Sequence, residues 1–235
     1  MNDQIITILN YVAILIPAFL LVLTFRGLFR ALVAKWMGDD TAYHDGFVSL
    51  NPLVHVDIMG LLIILFVLGV ISGFLGKEEI QNFIFLGLVF IGMRWSYEIP
   101  INPSNFKNIK RGMTFTALAG PLGNFVLALI VLYFQKYFPF SSLPIYAAKA
   151  IGEVCKSTIN FSIFFGVIHL LPLPPFDGFG VLEGLSPPSW RNAVNWLESK
   201  SLYIFVIFIL FSDVFFIVLR PLFLSIYLLL TNLVF

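Results

Sequence analysis

Charges along this chain fall in short clusters and leave long uncharged runs between them. Ile5 to Phe25 is 21 residues without a charge, long enough to cross a hydrocarbon core of ~30 Å. Ile58 to Leu75 is a second run, and Ile80 to Met93 a third of only 14 residues, separated by Gly76-Lys77-Glu78-Glu79, which reads as a tight turn. Met113 to Gln135 gives 23 uncharged residues, and Ser157 to Phe176 another 20. The last of these ends in prolines, so its helix should stop near Leu171. Ser201 to Leu219 and Pro221 to Phe235 close the series. The pattern predicts an all-α polytopic membrane protein with about six transmembrane helices, seven if both short runs cross. It predicts one membrane-embedded domain over residues 1–235, with no soluble domain, linker or internal repeat. The opening Met-Asn-Asp-Gln lacks the positive region of a signal peptide, so the first run is expected to stay as a helix.

Composition sharpens this. Of 235 residues, 59% are hydrophobic and 11% charged, against roughly 25% charged in soluble domains. That excludes a soluble enzyme, a disordered chain and a disulfide scaffold, and Cys155, the one cysteine, cannot form an internal bridge. A net charge of +1 gives no basic patch and no case for nucleic acid. With each run crossing once, one side holds Lys35, Arg94, Lys107, Lys110, Arg111, Arg191 and Lys200, and the other Lys77, Lys136 and Arg220. Seven against three favours the first side as cytoplasmic. Loops 38–57, 95–112 and 172–200 are then expected in the cytoplasm, with the N-terminus outside.

Three stretches carry more than hydropathy. In Gly112 to Asn124, the small residues Ala117, Gly120 and Gly123 recur at helical spacing and admit a neighbouring backbone closely. Asn124 reads there either as an interhelical hydrogen-bonding group or as part of a site. In Leu170-Leu-Pro172-Leu-Pro174-Pro175-Phe-Asp177-Gly178, a regular helix is ruled out. Such backbone survives at membrane depth only when buried in protein or lining a cavity, and a carboxylate there usually has a partner or a task. The alternative is an interfacial loop with Asp177 solvated. The third stretch, Asn51-Pro52 to Asp57 and Pro100 to Gly112, reads as ordinary turn chemistry.

In this order the stretches resemble the site-2 protease family of intramembrane zinc metalloproteases, in its compact bacterial form. The matching segments are Gly38-Asp39-Asp40-Thr-Ala, Leu50-Asn51-Pro52-Leu, Pro-Ile-Asn-Pro-x-Asn-Phe-Lys, Ala119-Gly120-Pro121-x-x-Asn124 and Leu-Pro-x-Pro-Pro-Phe-Asp177-Gly178. The resemblance implies that family's core fold, with a proline-rich Asp-Gly loop, in a bacterial inner membrane. It also implies a zinc site built from a His-Glu-x-x-His motif on the first helix and an aspartate that maps onto Asp177. Here the motif reads Arg26-Gly27-Leu28-Phe29-Arg30, its register set by Ala31-Leu-Val-Ala-x-x-Met-Gly38-Asp39. Both histidine positions are arginine and the catalytic glutamate is Gly27. A guanidinium stays protonated and has no lone pair for a metal, and glycine has no side chain to take a proton from water. His169 stands where the family usually has asparagine, whereas Asn124 and Asp177 match.

The expectation is therefore a pseudoprotease that holds no metal and acts as an adaptor or scaffold. Its partner would be another membrane protein, a single transmembrane segment or a membrane complex, and a homo-oligomer is also open. Cavity candidates are His169, Pro172, Pro174, Pro175 and Gly178. One alternative is an active zinc metalloendopeptidase with an unusual site, for instance a relocated one using His169 and Asp177. A second is a protein that handles ions or lipids. His44 and His55 are expected to be solvated or capping. Asp213 is expected to pair with Arg220 near the outer surface or to meet a basic residue of a partner helix. Arg26 and Arg30, one helical turn apart, are expected to face Asp177, with a direct salt bridge from Arg30 in particular and the other arginine reaching Asn124, His169, a loop carbonyl or water. The competing arrangement has both arginines snorkelling to the cytoplasmic surface.

Overall fold

The computed structural model describes residues 2–56 and 99–235, with the side chains of residues 2–5, 7, 8, 209, 210, 212, 213 and 216 outside the description. The expected hairpin over 58–93 lies outside the described residues, as does the side chain of Asp213. Among the described residues eight α-helices follow in order: α1 (Asn2–Met37), α2 (Thr41–His44), α3 (Ile109–Tyr137), α4 (Ile145–His169), α5 (Asp177–Leu185), α6 (Arg191–Ser199), α7 (Ser201–Leu210) and α8 (Ser212–Val234). Four helical stretches among the described residues are long and apolar enough to cross a membrane: Leu9–Met37, Ile109–Tyr137, Ile145–His169 and Ile217–Val234. The chain is an all-helical polytopic membrane protein.

Helix α3 is the axis of the bundle and packs against α1, α4, α5 and α8. The small residues predicted to admit a neighbour do so against α1. A Cβ on Gly123 would lie 2.8 Å from Phe29 Cβ and 2.9 Å from the Phe25 carbonyl, so the two backbones come together there. Phe19, Phe161 and Phe165 fill the space between α1 and α4, with ring centroids 6.0–6.3 Å apart.

Three helices depart from the hydropathy reading. Helix α1 runs to Met37 rather than ending with the apolar run at Phe25, because Arg26 and Arg30 interrupt hydropathy but are partnered inside the protein. Helix α4 starts at Ile145, since Glu153 and Lys156 sit on its outer turns without breaking it, and it ends at His169, just short of the proline loop. At the C-terminal end the break falls at Phe211, not at Arg220-Pro221. Pro221 sits inside α8, where it withholds one amide from the ladder but does not stop the helix. Lys136 Nζ, at the far end of α3, donates to the Val234 carbonyl, so α8 makes one crossing alongside α3 and Arg220 lies within the span.

The opposite end of the bundle is stitched by loops. Asp39, fully buried, accepts from the Thr41 amide at 3.1 Å and Thr41 Oγ1 at 2.5 Å, from Asn105 Nδ2 at 2.9 Å and from the Asn102 amide at 2.7 Å. Burial alone would raise its pKa; these four donors outweigh it and hold the carboxyl below its ordinary value. The Lys107 amide donates to the Met37 carbonyl, and Lys110 Nζ to the Ser186 carbonyl. The described parts of loops 38–57, 95–112 and 172–200 thus gather at one end. Asn51, Asn102 and Asn108 cap their turns and helix through their side chains, the turn chemistry their sequence predicts.

Candidate functional site

The site forms where α1, α3, the end of α4 and the start of α5 meet. Spacing by four places Arg26 and Arg30 on one face of α1. Gly120 of α3 makes the room: a Cβ there would lie 2.7 Å from Asp177 Oδ2 and 3.3 Å from both Arg26 Cγ and Arg30 Cδ. The Pro172–Pro175 loop turns the chain after α4, with a cis peptide between Pro174 and Pro175. Asp177 then opens α5, where a negative charge suits the first turn. Gly178 is required by contact, since a Cβ would lie 2.3 and 2.4 Å from the carbonyls of Leu170 and Leu171.

Asp177 is held by both arginines. Arg26 Nε donates to Oδ2 at 3.0 Å and Arg26 Nη2 to Oδ1 at 2.9 Å, a bidentate fork. Arg30 Nη1 donates to the same Oδ1 at 3.0 Å. The side chains of Arg26 and Asp177 are 9% and 5% exposed, that of Arg30 19%, so Arg26 is the deeper partner. The bridge expected from Arg30 to Asp177 forms, and Arg26, expected to reach Asn124, His169, a loop carbonyl or water, joins it on the same carboxylate as the deeper, bidentate partner. Neither arginine is released to Asn124 in its place. His169, fully buried, brings Nδ1 to 3.3 Å from Asp177 Oδ2, close but off the hydrogen-bond direction.

Two expectations change. Asn124 is fully buried, yet neither its Oδ1 nor its Nδ2 has a hydrogen-bond partner among the described residues, so the interhelical bond is not formed there. His55 is not solvated: it is 2% exposed, its Nε2 donates to the Ser49 carbonyl at 2.9 Å, and its ring packs on Phe47 and on the backbone of Gly27. The capping half of the expectation for His55 holds, since its backbone amide donates to the Pro52 carbonyl at 3.0 Å as the C-cap of the 52–54 turn, but its buried ring was not expected. The available signal was a glycine on a helix facing no other small residue, which implies a bulky neighbour.

The donor set does not suit a zinc ion. Among the described residues no three of His, Cys, Asp and Glu come together. Both Asp177 oxygens already accept from guanidinium groups, and a dication there would have to displace one positive charge and stand beside another. The space next to Gly27, where a glutamate would project, is filled by His55. What the arrangement offers instead is a polar cavity of about 330 Å³, lined by Arg26, Arg30, Thr116, Asp177, Glu183 and Glu198.

The chain is 29% identical over 186 residues to "Putative zinc metalloprotease YwhC" of Bacillus subtilis, covering 78% of this chain and 74% of that protein. It is 28% identical over 192 residues to "Putative zinc metalloprotease Rip2" of Mycolicibacterium smegmatis, covering 79% of this chain and 63% of that protein. No family model matches the chain. No solved structure matches it.

Proposed function

We propose that this chain is a proteolytically inactive member of the site-2 protease family that works as a membrane-embedded adaptor for another membrane protein. Similarity to two proteins named as zinc metalloproteases supports the family. The observation that carries the inactive reading is the capture of both Asp177 oxygens by Arg26 and Arg30. In the family that carboxylate is a metal ligand; here it is the counter-ion of two arginines that cannot ligate metal. The salt bridge ties α1 to the proline loop as a metal would, so the fold keeps its cross-link while the chemistry is lost. A binding cavity outlives that loss, which makes an adaptor or scaffold the role that best fits what remains. The reading places the protein in a bacterial inner membrane, with loops 38–57, 95–112 and 172–200 in the cytoplasm.

A second reading, an active zinc metalloendopeptidase, draws on the names of both relatives. Elemental analysis and a cleavage assay on a model transmembrane substrate separate the two. The adaptor reading expects no stoichiometric zinc and no cleavage. About one zinc per chain, lost on Asp177→Ala, overturns it.

A further inference from the structure

Away from the charged cluster, α4 and α8 enclose an apolar cavity of 380 Å³ lined by Phe164, Ile168, Ile217, Leu219, Phe223 and Arg220. It adjoins a second of 410 Å³, lined by Tyr11, Leu15, Ser157 and Asn160, which shares Phe164 and Phe223 with the first. Together they form one groove that follows α4 from Ser157 to Ile168, about 17 Å or three helical turns.

Arg220 lines this groove and is exposed on it. It precedes Val234, at the Lys136 end of the bundle, by 14 residues of α8, or about 21 Å. Toward the other end it borders Ile168, next to His169 and so level with Asp177. From Gly120, beside Asp177, α3 runs about 15 Å further to Lys110 and the loops. Arg220 thus lies inside the apolar span Ile217–Val234. Arg220 forms no ion pair or hydrogen bond with the described residues. Asn160 is exposed on the same groove, also without a hydrogen bond among them. Pro221 adds a third polar group, because it offers no amide to the Ile217 carbonyl.

An unpaired guanidinium within an apolar span is costly, and among the described residues the groove supplies its apolar walls but no anion. A lipid phosphate stays at the interface. A transmembrane helix can bring a carboxylate to mid-span, and three turns is a length over which helices dock. We infer that this groove binds a single transmembrane helix of a partner protein. That helix carries an Asp or Glu that pairs with Arg220. Seven or eight residues away on the same face it carries a Ser, Thr, Asn or Gln that meets Asn160, matching the eight-residue separation of Asn160 and Ile168. The inference rests on the adaptor reading and names its partner by chemistry.

The test uses the full chain in phosphatidylcholine nanodiscs and a fluorescent synthetic Leu/Ala transmembrane peptide with a central Asp and a Ser seven residues from it. A peptide with Leu replacing the Asp is the control. The Asp peptide should bind about tenfold more tightly than the control, the size of one interhelical polar contact. Arg220→Leu should abolish that preference, Arg220→Lys should keep most of it, and Asn160→Leu should weaken both peptides by a smaller factor. An unchanged melting temperature for Arg220→Leu confirms that the fold is intact. Equal binding of the two peptides, or a preference that survives Arg220→Leu, overturns the inference. So does displacement of the peptide by phosphatidylglycerol, which makes a lipid the occupant, or Arg220-dependent self-association without peptide, which makes it a second copy. Zinc content and cleavage, measured on the same preparation, decide the pseudoprotease reading separately: an active, zinc-loaded protein that still prefers the Asp peptide refutes that reading and leaves the groove standing.

Discussion

The ring of His55 occupies the space beside Gly27. A Cβ on Gly27 would lie 2.2 Å from His55 Nδ1 and 2.9 Å from Cε1, so no side chain fits there while the ring stays. Gly27→Ala should therefore destabilise the protein by about 1–3 kcal/mol through overpacking. His55→Ala should relieve much of that cost, so that the double variant is less destabilised than the two single changes added together. Thermal unfolding of the four proteins in one detergent measures this coupling, and strict additivity would show that the two residues do not compete for space.

The ionic cluster gives an ordered series. Asp177→Asn removes the carboxylate charge that both arginines share and should cost about 3–5 kcal/mol, as breaking a buried pair does. Arg26→Ala should cost more than Arg30→Ala, because Arg26 makes two of the three contacts and is the more buried. Combining Arg30→Ala with Asp177→Ala should cost less than the sum of the two. Equal effects of the two arginine variants would contradict the bidentate geometry.

His55 should give the stability a pH dependence. Burial pushes its pKa below the ordinary value, and the hydrogen bond to the Ser49 carbonyl only partly opposes this. The folded state thus favours the neutral ring. Its contribution is complete above the unfolded value of about 6.5 and is lost as the pH falls from there through the lower folded pKa. Melting temperatures should fall more steeply below about pH 6.5 in the wild type than in His55→Gln. Parallel curves would mean that His55 is not buried as described.

Asp39 acts in the same direction at lower pH. Its depressed carboxyl supports the fold fully above about pH 3.9, its unfolded value, and loses that support as the pH drops through the folded one. At neutral pH, Asp39→Ala strips four donors of their acceptor, at about 1–3 kcal/mol for each donor left buried and unsatisfied. Limited proteolysis should then cut within 38–56 or 99–108 before it cuts the helices.

The apolar runs made the helical class legible, because residues that cross a membrane must be both apolar and hydrogen-bonded within a helix. Small residues on α3 announced its close neighbour, and the arginine spacing announced a shared target. The ends of helices were not legible. Hydropathy marks where charge begins, and Arg26, Arg30 and Arg220 all lie inside helices that continue past them. The division of labour between Arg26 and Arg30 depends on how far each stands from Asp177, a distance of 151 or 147 residues in sequence that only packing closes. His55 could not be placed because its contact is with an absence, the missing side chain of Gly27.

Residues on either side of the 57–98 segment return to one small patch. Phe47 packs with Ala31, Ala42 and Ile99 on one hand and against the ring of His55 on the other. The chain on either side of that segment thus meets beside the same phenylalanine, and the contacts among Arg26, Arg30, His169 and Asp177 are all made by residues outside it. A change in its length should therefore leave the spacing of the ionic cluster as it is, in the way that a bracketed clause can grow while the sentence around it still parses. Insertions and deletions should accordingly be tolerated within 57–98 and excluded from the seven residues between His169 and Asp177.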